Sequence, residues 1–306
     1  MAVILHPIKL CAIILGRPRR APAGGARRRR AGAKIAARAP GAGGAAAPHR
    51  VTGRRAVRTP VPADAMTVTF HVHGCLNDLL PAARRGRAIE QRPARRATLK
   101  HAIEALGIPH TEIGTVCVNG EDRTLSTLVV DGDRIEVHPP AAPARGMPAP
   151  GGPDADGPPF LADAHLGALA RRLRLLGYDT RRASDEPDPV IAQLAHDERR
   201  VLLTRDRELL MHRLVTRGCL LRSIRPDEQL LEVIRRLGLR PPYRPFTRCL
   251  ECNEPLREAA REDVLPRLPP AVAASQYEFT TCPGCGRVFW KGSHWRRLGA
   301  MIEGLR

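Results

Sequence analysis

No stretch of the 306-residue chain reaches the roughly 18 consecutive apolar residues that a membrane-crossing helix needs, and the mean hydropathy is −0.27. Acidic residues are nearly missing from the first 65 positions, where Asp64 alone stands against 14 Lys/Arg, so this segment carries +13 of the formal net charge of +19. The remaining 241 residues hold 36 basic and 30 acidic groups, so the charge excess that would suggest a nucleic-acid partner is concentrated in one tail. Cysteine is sparse outside one region: Cys11, Cys75, Cys117 and Cys219 are scattered. That argues against a disulfide framework and for free thiols in a reducing, cytoplasmic compartment.

The tail opens on an apolar stretch, Met1 to Leu15, and then becomes Arg, Ala, Gly and Pro, including Arg27-Arg28-Arg29-Arg30 and Gly41-Ala42-Gly43-Gly44. Such a composition buries too little apolar surface to offset chain entropy, so residues 1–65 are expected to be a disordered basic extension. Its charges follow the apolar stretch, the reverse of a signal peptide. An organelle transit peptide, a non-native upstream extension with folded protein from near Met66, and a nucleic-acid-binding arm all remain open.

Against this background stand two C-x-x-C knuckles, Cys249-Leu250-Glu251-Cys252 and Cys282-Pro283-Gly284-Cys285. Together they offer four thiolates to one tetrahedral Zn²⁺. A closed four-thiolate site leaves no coordination position for water, so the zinc is expected to be structural. Residues 246–306 read as a zinc ribbon with a terminal helix. Phe289, Trp290, His294 and Trp295 could stack on single-stranded bases, but closing the ribbon against its neighbour is the stronger reading, since a ribbon needs an apolar partner. Arg287, Lys291, Arg296 and Arg297 keep RNA contact open.

A chain of this length suggests two or three domains. In 66–140, Val68, Phe70 and Val72 alternate as in a half-buried strand, Thr98 can cap a helix that stops at Gly107, and Thr115–Val118 leads into the turn pair Asn119-Gly120. Asp131-Gly132-Asp133 then turns into a strand over Arg134–His138. This order resembles the ubiquitin-like β-grasp domains related to sulfur carriers. A carrier needs a free C-terminal Gly-Gly; here Gly151-Gly152 runs into Pro153 and a further domain, which favours a docking or substrate-binding module with an unknown partner. Residues 141–158 are a linker by composition.

From 159 to 240 strand and helix alternate. Strands are expected at Phe160–Ala162, Tyr178–Ala183, Val201–Thr204 and Cys219–Ile224, each followed by an apolar-striped helix, which implies a parallel sheet. Ligands of such sheets bind beyond the carboxyl ends of the strands. Asp163 follows the first strand, Asp185 and Asp188 the second, and Asp206 the third. Taken singly, Asp163, Asp188 (before Pro189) and Asp206 each suit a helix N-cap. Taken together at one edge, they suit Mg²⁺ or Mn²⁺. Arg171, Arg172, Arg174 and Arg205 could meet RNA phosphates or be a solvated helix face. His165 could act as a base, a role that a metal-activated water makes unnecessary.

The segments FLADAHLGALARRLRLLGYDT, VLLTRDREL and CPGCGRVFWKGSHW resemble the Mut-seven C-terminal RNase family, PIN-like nucleases with an appended zinc ribbon, and the preceding segment resembles the ubiquitin-like domain joined to them. The match spans about 66 to 298. The resemblance implies an α/β, PIN-like sheet with flanking helices, divalent-metal-dependent hydrolysis of RNA, and a catalytic acid set matched here by Asp163, Asp206 and either Asp188 or Asp185. Thr204 matches the small hydroxyl residue that orients the third acid or a bound water. A fourth acid is expected after the next strand, where this chain has Ser223-Ile224-Arg225 and then Asp227. The competing reading is a non-catalytic zinc-ribbon RNA-binding or adaptor protein.

Overall fold

The computed structural model describes residues 66–141, 157–241 and 243–292, with positions 296, 299–300 and 303–304. The readings made for the basic extension 1–65, for Gly151-Gly152 and most of the linker, and for His294, Trp295 and Arg297 fall outside the described residues.

The first layer is a mixed five-stranded sheet built from β1 (Val68–Val72), β2 (Ile89–Gln91), β3 (Thr115–Val118), β4 (Glu121–Arg123) and β5 (Arg134–His138), with α1 (Leu99–Glu104) between β2 and β3. The order is β2-β1-β5-β3-β4; β1 and β5 run parallel and the other neighbours antiparallel, a β-grasp-like arrangement. Val68, Phe70 and Val72 of β1 point into the core, as the alternation requires. The Thr98 side chain accepts a hydrogen bond from His101 N and starts α1. Asn119 and Gly120, at φ 53° and 88°, form the tight connection from β3 to β4, a conformation these two residue types tolerate best.

The second layer is an all-parallel sheet: β6 (Phe160–Ala162), α2 (Gly167–Leu175), β7 (Thr180–Arg182), α3 (Asp188–Asp197), β8 (Val201–Thr204), α4 (Arg207–Met211), β9 (Gly218–Leu220) and α5 (Pro226–Leu237). Its order is β7-β6-β8-β9. Both faces are covered, so β6 and β8 are buried throughout. Phe160, Ala162, Val201, Leu203, Cys219 and Leu221 share a core with α2 and α5. Leu161, Leu202 and Leu220 belong instead to a core with α3, α4 and the apolar interior of the β-grasp sheet. The strand expected over Cys219–Ile224 is shorter than that pattern suggests. Past Leu221, the Glu232 carboxylate accepts from the N–H groups of Arg222 and Ser223, and Gln229 donates to Ser223 O; α5 side chains thus take the backbone groups that a ladder would have used.

The β-grasp layer meets β9 through the turn His110–Glu112. Glu112 is 1% exposed; one carboxylate oxygen accepts from Leu220 N at 2.8 Å and the other from Arg236 Nη2 at 2.7 Å. Arg236 also donates to Leu220 O at 2.6 Å, so one ion pair satisfies both backbone groups of an edge-strand residue. His110 Nε2 pairs with Val215 O, and Arg207 donates to Leu79 O. Gly218 lies under Leu210 and Thr111 so closely that a Cβ there would sit 2.5 Å from Leu210 Cδ2.

The third part is an antiparallel sheet of β10 (Arg257–Ala259), β11 (Phe279–Thr281) and β12 (Val288–Trp290), with α6 (Arg261–Val264) and α7 (Pro270–Ser275) between β10 and β11. It attaches where α2 ends and β7 begins. Asn253 accepts from Thr180 N and donates to Asp179, whose carboxylate also pairs with Arg200. Arg174 donates to the carbonyls of Thr180, Leu250 and Glu251. Gly177, at φ 97°, stops α2 and admits Arg244, whose carbonyl oxygen would lie 2.4 Å from an added Cβ.

Candidate functional site

Because β7, β6 and β8 are adjacent and parallel, their carboxyl ends share one edge, and Asp185 and Asp188, Asp163 and Asp206 follow those ends in that order. Asp163 is half-buried; Asp185, Asp188 and Asp206 are exposed. Capping accounts for one of the three acids that suited it. Asp206 Oδ1 accepts from Glu208 N at 2.8 Å and from Leu209 N at 3.5 Å. Asp163 makes no cap bond to the turn that follows it. Asp188 is the first residue of α3 rather than its cap; Pro187 holds that position, and no side-chain cap bond forms. His165 is exposed in the turn after Asp163.

Thr204 joins two of these acids. Its hydroxyl, fully buried, donates to Asp163 Oδ2 at 2.8 Å and accepts from Asp206 N at 3.0 Å. The single β-branched side chain therefore fixes the Asp163 carboxylate and the backbone that presents Asp206. The fourth acid is missing from its expected place, and the nearest one, Asp227 in the first turn of α5, is bound by Arg172 Nε at 2.6 Å. The four aspartates are not among the described groups of three or more ligand side chains whose ligand atoms all lie within 4.8 Å of one another.

The structure corrects the arginine reading. Arg172 and Arg174 are buried, 7% and 5% exposed, and hold Asp227 and the ribbon carbonyls, so neither guanidinium faces a solvent-borne phosphate. Arg171 Nε pairs with Glu251 at 3.2 Å. Lys291 pairs with Glu278, and Trp290 is half-buried on β12, opposite Phe279. Arg205 is exposed and immediately precedes Asp206. What sequence reading missed is a second group of basic residues, around Arg207. An open cleft of about 760 Å³ is bordered by Asp78, Leu80, Arg84, Arg85 and Gly107 from the β-grasp layer and by Arg207, the residue after Asp206. The run Arg84-Arg85-Gly86-Arg87 was a visible signal, but only the docking of the two layers brings it to α4.

The four knuckle cysteines cluster with all sulfurs within 4.8 Å. Cys249 and Cys285 Sγ are 3.6 Å apart, Cys252 and Cys282 Sγ 3.2 Å, near the roughly 3.8 Å that a Zn–S bond of about 2.3 Å imposes in a tetrahedron. The knuckles repeat one backbone pattern. Cys249 N donates to Glu254 O and Asn253 N to Cys249 O; Cys282 N donates to Arg287 O and Gly286 N to Cys282 O. The fifth residue of each, Asn253 and Gly286, has φ 74° and 71°. Burial pushes the Cys249 thiol up, as it does Cys282. Burial acts the same way on Cys285 but is outweighed by hydrogen bonds from the Arg287 backbone and the neighbouring thiols, which bring it down to about 7. The donor set fits zinc, and it sits by Asp179 and Thr180, at the amino end of β7, whereas the aspartates occupy the carboxyl end.

Comparison with known families matches residues 158–302 to the Mut7-C RNAse domain and residues 65–145 to the Mut7-C ubiquitin domain. No curated protein matches the chain. Among solved structures, the small archaeal modifier protein 1 of H. volcanii is similar at 20% identity over 25% of this chain and 100% of its own, with a TM-score of 0.21.

Proposed function

Since the chain belongs to the Mut7-C RNase family, with that family's ubiquitin-like domain ahead of the nuclease domain, we propose that it is a divalent-metal-dependent ribonuclease with a PIN-like core. The observation that carries this is the Thr204 hydroxyl bridging Asp163 and the Asp206 backbone at the one sheet edge where the other acids also lie. In this reading Asp163 and Asp206, with Asp188 or Asp185 from the neighbouring loop, hold Mg²⁺ or Mn²⁺. The ion would lower the pKa of a water and neutralise charge on the phosphoryl oxygens.

The residues divide the remaining work. Thr204 is a positioning residue. Asp206 spends Oδ1 on capping α4, so its ligating orientation is set by the helix start. Arg205, and Arg84, Arg85 and Arg207 around the cleft, supply phosphate contacts that orient a single-stranded RNA backbone without reading its sequence. The zinc ribbon, at the opposite end of β7, is structural: it anchors α2 through Arg174 and Asn253 rather than taking part in cleavage.

The test is cleavage of single-stranded RNA with Mg²⁺ or Mn²⁺ by the wild-type chain and by Asp206→Asn. Loss of cleavage in the variant with RNA still bound is expected. Equal cleavage by both, or none by either while RNA binds, would replace the nuclease with an RNA-binding adaptor.

A further inference from the structure

The outer face of the β-grasp sheet carries a group of side chains that the ribonuclease reading does not use. β1 and β5 are paired in parallel, with His71 beside Glu136 and Val72 beside Val137, which puts His73 next to His138 one position on. Alternation sends Val72 and Val137 inward and leaves His71, His73, Glu136 and His138 together outside. The His73 and His138 rings are stacked, centroids 4.2 Å apart and 4° from parallel. Both Nε2 atoms lie 3.8 Å from the same oxygen, Glu136 Oε2. The other oxygen, Oε1, lies 3.5 Å from Arg134 Nη2, which orients the carboxylate.

Those distances are informative. At 3.8 Å neither ring hydrogen-bonds the carboxylate. His73 Nε2 is nevertheless buried and has no hydrogen-bond partner. Three ligand atoms thus converge on one gap without satisfying one another, and all three lie within 4.8 Å. A cation bound by all three would satisfy them together. A tetrahedral ion bonded at about 2.0–2.2 Å sets its ligands roughly 3.3–3.5 Å apart, so each Nε2–Oε2 distance closes by a few tenths of an ångström, and side chains that are 34–43% exposed leave the stacked rings free to turn until both in-plane lone pairs meet the ion.

We propose that His73, His138 and Glu136 bind a divalent transition-metal ion, of which zinc is the representative, on the outer face of the β-grasp sheet. Two imidazoles and one carboxylate suit such ions better than Mg²⁺ or Ca²⁺, which prefer all-oxygen sets. Three protein ligands leave at least one coordination position for water or for a donor from outside the chain. Cys117 faces the same side, across from Glu136, but its thiol donates to Asp122 Oδ1 at 3.1 Å. The proposal is independent of the acids at the parallel sheet.

The experiment counts zinc per chain after equilibration with excess Zn²⁺ and removal of unbound ion, using the full chain. The wild type is expected to retain two, one at the cysteines and one here; His73→Ala/His138→Ala should retain one with an unchanged circular dichroism spectrum. One zinc in the wild type, or two in the variant, overturns the proposal. A second readout needs no variant: on passing from one to two equivalents of Zn²⁺, the ring-nitrogen NMR signals of His73 and His138 should shift together. Unmoved signals would also overturn it.

Discussion

Replacing Glu112 tests whether the β-grasp and parallel-sheet layers are energetically one body. Glu112→Ala removes the acceptor for Leu220 N and the partner of Arg236 Nη2 in a site that is 1% exposed. Breaking a buried pair from one side costs about 3–5 kcal/mol. The Arg236 side chain is 28% exposed, so water recovers part of its loss, which moves the expectation to the low end, about 3 kcal/mol. For a folded region of this size each kcal/mol shifts Tm by roughly 2–4 °C, so a fall on the order of 10 °C is expected. Glu112→Gln keeps one acceptor oxygen and should lose about 1–2 kcal/mol. In an Arg236→Leu background, Glu112→Ala should cost less than it does alone, by about 0.5–3 kcal/mol, because the guanidinium is no longer left unpaired. Urea and thermal unfolding followed by far-UV circular dichroism supply the values. A Glu112→Ala chain within about 0.5 kcal/mol of wild type, or two separate transitions in the wild type, would refute the shared core as a cooperative unit.

Three further outcomes are expected. Chelating zinc should remove amide-exchange protection from residues 246–292 while β6 and β8 stay protected, because structural zinc supplies on the order of 10 kcal/mol of folding free energy to a segment with little core; unchanged protection would show that the ribbon holds without metal. Thr204→Val should reduce Mg²⁺ or Mn²⁺ affinity or cleavage by about 10–100-fold, as outer-sphere partners of metal ligands do, with Thr204→Ser restoring it; equal values for Thr204→Val and wild type would remove Thr204 from the site. Burial works against the Asp179 carboxylate, but hydrogen bonds from Arg200 and Asn253 outweigh it and hold its pKa below the usual range. The stability it contributes is present above the unfolded value of about 3.9 and is lost as pH falls through the lower folded one, so Asp179→Asn should show a shallower acid limb below about pH 4. Superimposable acid limbs would contradict this.

Much of the architecture is written in local pattern. The alternation of Val68, Phe70 and Val72, the cap at Thr98, the Asn119-Gly120 turn and the strand-helix repeats after Phe160 all act over a few residues, and each element forms where its chemistry indicates. The strand ending is different. Whether β9 continues past Leu221 depends on Glu232 and Gln229, a helix away, competing for its backbone groups. Capping was a fair reading for Asp206 and a poor one for Asp163 and Asp188, because an N-cap bond depends on where the chain enters the helix, which a change of one residue alters.

By itself the sequence determined the pairs of thiols, the order of strands and helices, and the placement of aspartates after consecutive strands. Periodicity and spacing encode such features directly. Tertiary structure alone decided what those side chains face. It buried Arg172 against Asp227 and Arg174 against the ribbon, brought Arg84 and Arg85 to Arg207, and set His73 beside His138 across 65 positions of chain. The physical reason is that the charge and hydrogen bonding of a polar group are fixed by its partner. For these residues the partner comes from a strand or layer that no local pattern specifies.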